Sequence, residues 1–248
     1  MSEYLSSEAI VLRSKDYKED DKIISIYTLK KGKMRALVKG VKKNTSKLRS
    51  AVQTFCVTDL TFALSKGIPV VINGENSRVF DRLKDDYLRM SYASMLCEFV
   101  DKIMPENETD EEVYKILKAS LAAISEGNPW SGANGGILRL LSHLGYGAEY
   151  KTCAFCGKNL KMTEVYYSSD GLACFDCAKM EGSCRKLSTE AAVIIQALQE
   201  MALEKTGHIY ASGKGKDEVD KYIDLQLDNV LEYPLKSRNF LQKLAADA

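Results

Sequence analysis

The sequence predicts an α+β chain in which a small N-terminal β-barrel precedes an α-helical domain interrupted by a four-cysteine ribbon. Three observations carry that expectation. Short β-branched runs punctuated by glycine turns fill the first 80 residues, and apolar residues at helical spacing dominate the remainder of the chain. Cys153-Ala-Phe-Cys156 and Cys174-Phe-Asp-Cys177 then form two CxxC pairs separated by 17 residues. The expected boundaries are 1–80 for the barrel, 81–248 for the helical domain and 151–179 for the ribbon.

Ala9-Ile10-Val11-Leu12 is a short apolar run ending in a polar loop at Ser14 to Asp21. Ile23 to Leu29 is β-branched and aromatic, the composition a pleated, half-buried surface favours. After Lys30-Lys31-Gly32 the residues Met34 to Lys39 alternate, so Met34, Ala36 and Val38 should face inward while Arg35, Leu37 and Lys39 point out. Gly40 to Arg49 reads as a polar loop, and Phe55 to Leu64 with Ile68 to Ile72 complete the set around Lys66-Gly67. Five short strands with one buried face suggest a Greek-key barrel, of which the OB-fold is the common example.

Beyond Asn73-Gly74 the period changes. Leu83 to Met104 carries a helical stripe through Tyr87, Met90, Ala93 or Ser94, Cys97 and Val100 and stops at Pro105. Val113 to Ile124 repeats the pattern up to Gly127-Asn128-Pro129, and Ile137 to Leu144 is a third helix closed by Gly145 and Gly147. Ser188 should cap a helix whose stripe is Ala191, Ile194, Leu198 and Met201. Helices near 218–231 and 236–246 complete the chain, separated by Tyr233-Pro234.

Two residues between cysteines let both thiolates of a pair turn onto one ion, and two such knuckles complete a sulfur tetrahedron. Cys153, Cys156, Cys174 and Cys177 are therefore expected to bind Zn2+ in a closed, structural site, since catalytic zinc keeps a position open for water. Gly157 suits the tight turn after the first knuckle, and Asp170-Gly171 marks a hairpin in the spacer. Two disulfides fit less well, because the chain is long enough for a real core and opens with neither a basic nor an apolar secretory region. No stretch approaches the ~20 apolar residues that span a bilayer. A reducing, cytoplasmic setting is the expectation. Cys56 and Cys97 read as buried small hydrophobes, and Cys184 lies too far from the CxxC frame to be a ligand.

The net charge of +1 conceals a strong asymmetry. Between Lys30 and Arg49 there are nine basic residues and no acid, whereas Glu19-Asp20-Asp21 and Glu106 to Glu112 gather the carboxylates. Arg35 and Lys39 share the outward face of one strand, and Lys42, Lys43, Lys47 and Arg49 decorate the adjoining loop. Such a track attracts phosphate backbones through counterion release, and barrels of this kind pair it with stacking aromatics, for which Tyr27 is the nearest candidate. Phe55 and Phe62 read as core. The carboxylates at 19–21 read as a solvated loop that orients the next strand, and His143 as a packed core residue. No nucleophile–base arrangement and no phosphate-cradling glycine loop can be named, so no enzyme is expected. A zinc-ribbon module whose basic barrel binds an acidic protein partner is the alternative, and a zinc-dependent nucleic-acid enzyme a second rival.

Glu8-Ala-Ile-Val-Leu-Arg13, Tyr17-x-Glu19-x-Asp21, Thr28-Leu-Lys-Lys-Gly32-Lys33, Lys39-Gly40-Val-Lys-Lys43, Ser46-Lys47-Leu48, the CxxC pairs and Leu235-Lys-Ser-Arg238-Asn-Phe-Leu241 occur in this order. In these motifs the chain resembles the bacterial RecO family of recombination mediators. The resemblance implies an OB-fold followed by a helical domain and a non-catalytic, nucleoid-associated role in recombinational DNA repair. It implies binding of single- and double-stranded DNA and annealing of complementary strands. It further implies action with RecR, and often RecF, to help RecA replace single-strand-binding protein. The family's basic barrel surface corresponds to Arg35, Lys39, Lys42, Lys43, Lys47 and Arg49. Lys236 and Arg238 are candidates for a basic surface on the helical domain. Some relatives lack the cysteines, so zinc is not implied to be essential for activity.

Overall fold

The computed structural model describes residues 3–64, 66–146 and 149–246, with side chains to 244. Gly147, expected beside Gly145 at the end of a helix, lies outside them. The chain divides into two compact units, Met1–Leu121 and Ala122–Ala248.

Unit 1 is built on five strands: β1 (Glu3–Tyr17), β2 (Asp21–Thr28), β3 (Gly32–Val38), β4 (Val57–Leu64) and β5 (Val70–Arg78). They close into a barrel in the order β1-β2-β3-β5-β4. All neighbours are antiparallel except β3 and β5, which meet in parallel at Leu37 and Val70. The five-stranded barrel expected from the sequence is present, with β1 and β5 longer than the apolar runs suggested. Ala9, Val11, Ile24, Ile26, Met34, Ala36, Val38, Leu60, Phe62 and Val71 fill its interior. Met34, Ala36 and Val38 face inward as their alternation requires, and Arg35 is exposed.

The segment expected as a loop after Leu12 is strand as far as Tyr17. A β-bulge between Val11 and Arg13 skips one residue of the β1–β2 register. A bulge reverses the in–out alternation beyond it. Ala9 and Val11 therefore point into the barrel, while Arg13, Lys15 and Tyr17, which share their parity, are exposed. That break hid the strand from a period-2 reading.

Three helices complete this unit: α1 (Arg82–Asp85), α2 (Tyr87–Ile103) and the first turns of α3 (Glu111–Glu126). The Asp86 carboxylate accepts from the backbone N–H groups of Leu88 and Arg89 and so caps α2. Helix α2 lies against β1 and buries Met95, Leu96, Phe99 and Val100. The acidic connection after it runs back to the β2–β3 turn, where the Asn107 N–H donates to the Lys33 carbonyl at 2.8 Å. Gly32, at φ +62°, makes this approach possible, because a Cβ there would sit 1.7 Å from the Glu108 carbonyl oxygen.

Unit 2 contains α4 (Pro129–His143), a small sheet, and α5 (Phe175–Glu181), α6 (Thr189–Glu200), a 3-10 turn (Leu203–His208), α7 (Gly213–Val230) and α8 (Lys236–Ala246). The sheet has β6 (Tyr166–Ser168) between β7 (Gly171–Ala173) and β8 (Arg185–Lys186). Helix α4 starts eight residues before the expected Ile137, because its early glycines are demanded by packing and not by turning. A Cβ on Gly132 would come within 2.8 Å of the Ile124 nitrogen. Ser188 caps α6, accepting from the Ala191 N–H at 3.2 Å. His143 is exposed in the last turn of α4, contrary to the core position expected of it; the buried residues of this helix end at Leu140 and Leu141. Among the described residues no helix is long and apolar enough to cross a membrane.

Glu8 ties β1 to α3 by accepting from Tyr114 Oη (2.8 Å) and Lys118 Nζ (2.9 Å), with Ser77 Oγ at 3.3 Å. Burial alone would raise its pKa, but these donors, Lys118 foremost, outweigh it and hold the carboxyl below its ordinary value. A carboxyl depressed in the folded state contributes stability above its unfolded pKa and loses it as pH falls through the folded value. Glu8→Gln should thus cost about 1–2 kcal/mol in urea unfolding at pH 7, and the difference should shrink below about pH 4. Equal stability of variant and parent at pH 7 would refute the bridge.

Candidate nucleic-acid interface and metal centre

The six candidate cations are all exposed on the barrel and its β3–β4 connection. They do not form the acid-free field that their spacing along the chain suggested. Folding returns remote carboxylates to them: Glu106 lies 3.1 Å from Arg35, Asp16 3.1 Å from Lys42, and Asp20 3.5 Å from Lys43. Arg49 donates to the carbonyls of Lys42 (2.6 Å) and Val41 (3.5 Å), so it organises the loop without losing its charge to an acid. Lys39 and Lys47 have no carboxylate partner among the described residues. The three ion pairs are solvent-exposed on both sides. Exposed pairs are worth about 0–1 kcal/mol. A phosphate can therefore replace each carboxylate at little cost.

The segment at 19–21, expected as a solvated loop that orients the next strand, instead fastens the β3–β4 connection, and Asp21 is already part of β2. Asp21 accepts from the Gly40 N–H at 2.8 Å, and the Asp20 carbonyl accepts from the Lys42 N–H at 3.0 Å. Tyr27, expected as a stacking aromatic, is fully buried and cannot receive a base. Its ring lies under the α2–α3 connection, where its hydroxyl accepts from the Asp110 N–H at 3.2 Å. Burial keeps that hydroxyl neutral, with its pKa pushed up to about 12. The aromatic exposed near the basic residues is instead Tyr17, beyond the bulge.

Two clefts flank the β1–β2 hairpin. The larger, about 730 Å3, lies on the inner face, bounded by Ser14, Asp16 and Lys22, by Lys42 and Arg49 from the β3–β4 connection, and by Lys84. The smaller, about 280 Å3, lies on the outer face among Arg13, Lys15, Tyr17, Ile23 and Arg35. Arg13, Ser25 and Arg35 form one cross-strand row over β1, β2 and β3. Arg13, Lys15, Lys22 and Lys84 were missed as candidates because they fall outside the dense basic run. Their grouping depends on the bulge and on the return of the chain at α1.

The four CxxC cysteines converge. Their sulfurs all lie within 4.8 Å of one another, with Cys156 and Cys174 3.8 Å apart. A tetrahedron with metal–sulfur bonds of about 2.3 Å has sulfur–sulfur edges of about 3.8 Å, so the cage has the dimensions of a thiophilic dication. The first knuckle is a tight hairpin in which Gly157, at φ +70°, returns its N–H to the Cys153 carbonyl at 2.9 Å. The second is the start of α5, with Cys174 at its N-cap and Cys177 in its first turn. The β6–β7 hairpin positions it; its loop is Ser169-Asp170, with Gly171 already paired to Ser168, one residue earlier than the Asp170-Gly171 signal implied.

Burial would raise the Cys153 thiol, but backbone N–H groups of Cys174, Cys156 and Phe155 aimed at its sulfur bring it down to about 6. Cys177 is pushed up, chiefly by its hydrogen bond with Cys156. Four thiolates so close repel one another, and a cation removes the conflict. Cys184 packs beside the cage without joining it, and Cys56 and Cys97 are buried elsewhere. The module runs beyond the expected residue 179, because β8 adds a third strand. It is fastened to α7, where Gln226 Nε2 donates to the Ser168 carbonyl (2.8 Å) and Asn229 Nδ2 to that of Ser169 (3.1 Å).

Arg238 does not supply a basic surface. It is buried, donating to the Asp220 carbonyl at 3.0 Å and to the Asp224 carboxylate. Asp220 also accepts from Trp130 Nε1 (2.8 Å) and Lys216 Nζ (2.9 Å), so these charges lock α4, α7 and α8 together. Lys236, the other candidate, is exposed.

Comparison with known proteins agrees with this anatomy. Residues 1–80 match the family model for the recombination protein O N terminal region, and residues 84–239 the model for the recombination protein O C terminal region. A protein of Syntrophomonas wolfei named DNA repair protein RecO is 31% identical over 226 residues, covering 89% of each chain. Proteins of the same name from Desulforamulus reducens and Thermoanaerobacter sp. are 28% and 29% identical. The first covers 96% of this chain and 93% of its own, the second 97% and 98%.

Proposed function

The chain belongs to the recombination protein O family, a family of DNA repair and recombination proteins, and on that premise we propose that it is a non-enzymatic, DNA-binding recombination mediator. In this reading the barrel at 1–80 is the DNA-binding domain and 81–248 the helical domain carrying the metal ribbon. The single observation that supports it most is the set of six exposed cations on β3 and the β3–β4 connection, of which Lys39, Lys47 and Arg49 have no carboxylate partner among the described residues and the other three are held only by exposed carboxylates.

The mechanism is electrostatic. Two complementary strands repel each other, and a cationic surface that grips phosphates lowers that repulsion while leaving base edges free. Annealing then needs no nucleotide and no reacting side chain. The partners proposed are single- and double-stranded DNA, RecR, single-strand-binding protein and, less directly, RecF and RecA. The ion proposed for the cysteine cage is structural Zn2+, since a tetrahedral all-sulfur shell suits zinc and leaves no position for a reacting water.

The carboxylate pairing sets the expected salt dependence. Exchanging a carboxylate for a phosphate releases fewer counterions than covering a bare lysine. Lys39, Lys47 and Arg49 alone would give single-strand binding a log–log salt slope of about −2, and all six about −4, at ~0.7 per contact. In a fluorescence anisotropy titration across salt concentrations, Lys39→Glu with Lys47→Glu should weaken binding and flatten the slope by about 1.4. An unchanged slope in the folded double variant would overturn the assignment.

For the metal, purified protein in reducing buffer should carry about one zinc per chain by elemental analysis. Cys153→Ser with Cys174→Ser should abolish it and remove hydrogen-exchange protection from the ribbon, because structural zinc contributes on the order of 10 kcal/mol in small modules. Barrel-based DNA affinity should survive the change. A zinc-free parent protein would end the proposal.

A further inference from the structure

Annealing requires two strands on one surface, and the barrel has two separate places to put them. We infer that the inner and outer clefts beside the β1–β2 hairpin each hold one nucleic-acid strand, with the hairpin standing between them. This rests on the DNA-binding reading and goes beyond it by dividing the site.

The division follows from strand alternation past the bulge. In the paired segment, Arg13 faces Ser25 and Lys15 faces Ile23 on the outer side, while Asp16 faces Lys22 on the inner side. Side chains of one strand alternate between faces, so the outer cations cannot line the inner cleft. Asp16 alone borders both clefts, and its carboxylate at the shared rim resists a phosphate chain crossing from one to the other.

The two clefts differ in chemistry. In the inner one, Lys22, Lys42, Arg49 and Lys84 face a single carboxylate, Asp16, which lies 3.1 Å from Lys42 and 3.8 Å from Lys22. Lys84 rests on the neutral Gln53 amide and Arg49 on backbone carbonyls, so both retain their charge. Ser14 Oγ, buried with no hydrogen-bond partner among the described residues, borders this cleft as well. Such a lining suits a phosphodiester run. In the outer cleft Arg13 is paired to Asp101 (3.5 Å) and Arg35 to Glu106 (3.1 Å), leaving Lys15 as the cation without a carboxylate partner among the described residues. Tyr17, 42% exposed with Lys18 Nζ 5.5 Å from its ring centroid, lies there beside half-buried Ile23, an aromatic–cation pairing that suits a base more than a bare phosphate. One cleft thus grips backbone strongly, and the other holds a second strand loosely through stacking. That combination lets the second strand shift register until it pairs.

The test counts strands. With a labelled oligothymidylate of about four nucleotides, the lower end of what one such barrel covers, the full chain at low salt should bind two per chain with different affinities. Lys22→Glu with Lys84→Glu should abolish the tighter event, and Arg13→Glu with Lys15→Glu the weaker one. Each folded double variant should keep one oligonucleotide per chain yet anneal complementary strands at least tenfold more slowly. Far-UV circular dichroism checks the fold of each. A stoichiometry of one for the parent, or loss of both events in either variant, would overturn the two-strand division while leaving DNA binding intact. No binding by the folded parent would overturn the DNA reading and the division together.

Discussion

A single extra residue in β1 controls what this barrel can present to a polyanion. Without the bulge between Val11 and Arg13, the odd-numbered residues from Ala9 onward would all point inward, and Arg13 and Lys15 would have to be buried or the strand broken. Burying two unpaired cations in a small hydrophobic interior is far costlier than a local kink. Strand β1 pairs with β4 as far as Ile10, before the bulge, and with β2 as far as Tyr17, beyond it, where its charges turn to solvent. Both clefts and the exposed ring of Tyr17 result from the bulge.

Much of the architecture was legible from residue patterns, for physical reasons that differ by element. The CxxC pairs could be assigned because a four-sulfur cage constrains spacing locally, and the cysteines do converge. Met34, Ala36 and Val38 were legible because a regular strand obeys a period of two. The limits of α8 and the Ser188 cap were legible because caps and turns are chemical signals a few residues long. The features that stayed hidden depend on distant parts of the chain. The glycines of α4 look like helix breakers until the backbone they pack against is known, and Arg238 looks like a surface cation until Asp220 and Asp224 are placed around it.

Charge was the least readable property. A run of nine basic residues without an acid suggests a bare cationic field, yet Asp16, Asp20 and Glu106 are folded back onto it. The outcome is a surface of exchangeable pairs. Each is exposed on both sides and worth about 0–1 kcal/mol, so it fixes the side chains only weakly. The buried charges of α7 and α8 have the opposite character: Arg238 is enclosed and multiply bonded, so its contribution is to order. The cysteine ribbon belongs with these rigid parts, fixed to α7 through Gln226 and Asn229.

Gly32 carries a consequence that its size conceals. Because the Glu108 carbonyl occupies the space a side chain would need, this glycine is the seat on which the acidic connection rests. The same connection delivers Glu106 to Arg35. A methyl group added at Gly32 alters no ionisable group, yet by unseating that segment it would change the electrostatic potential of a neighbouring strand. In this protein a steric lesion can masquerade as a charge mutation.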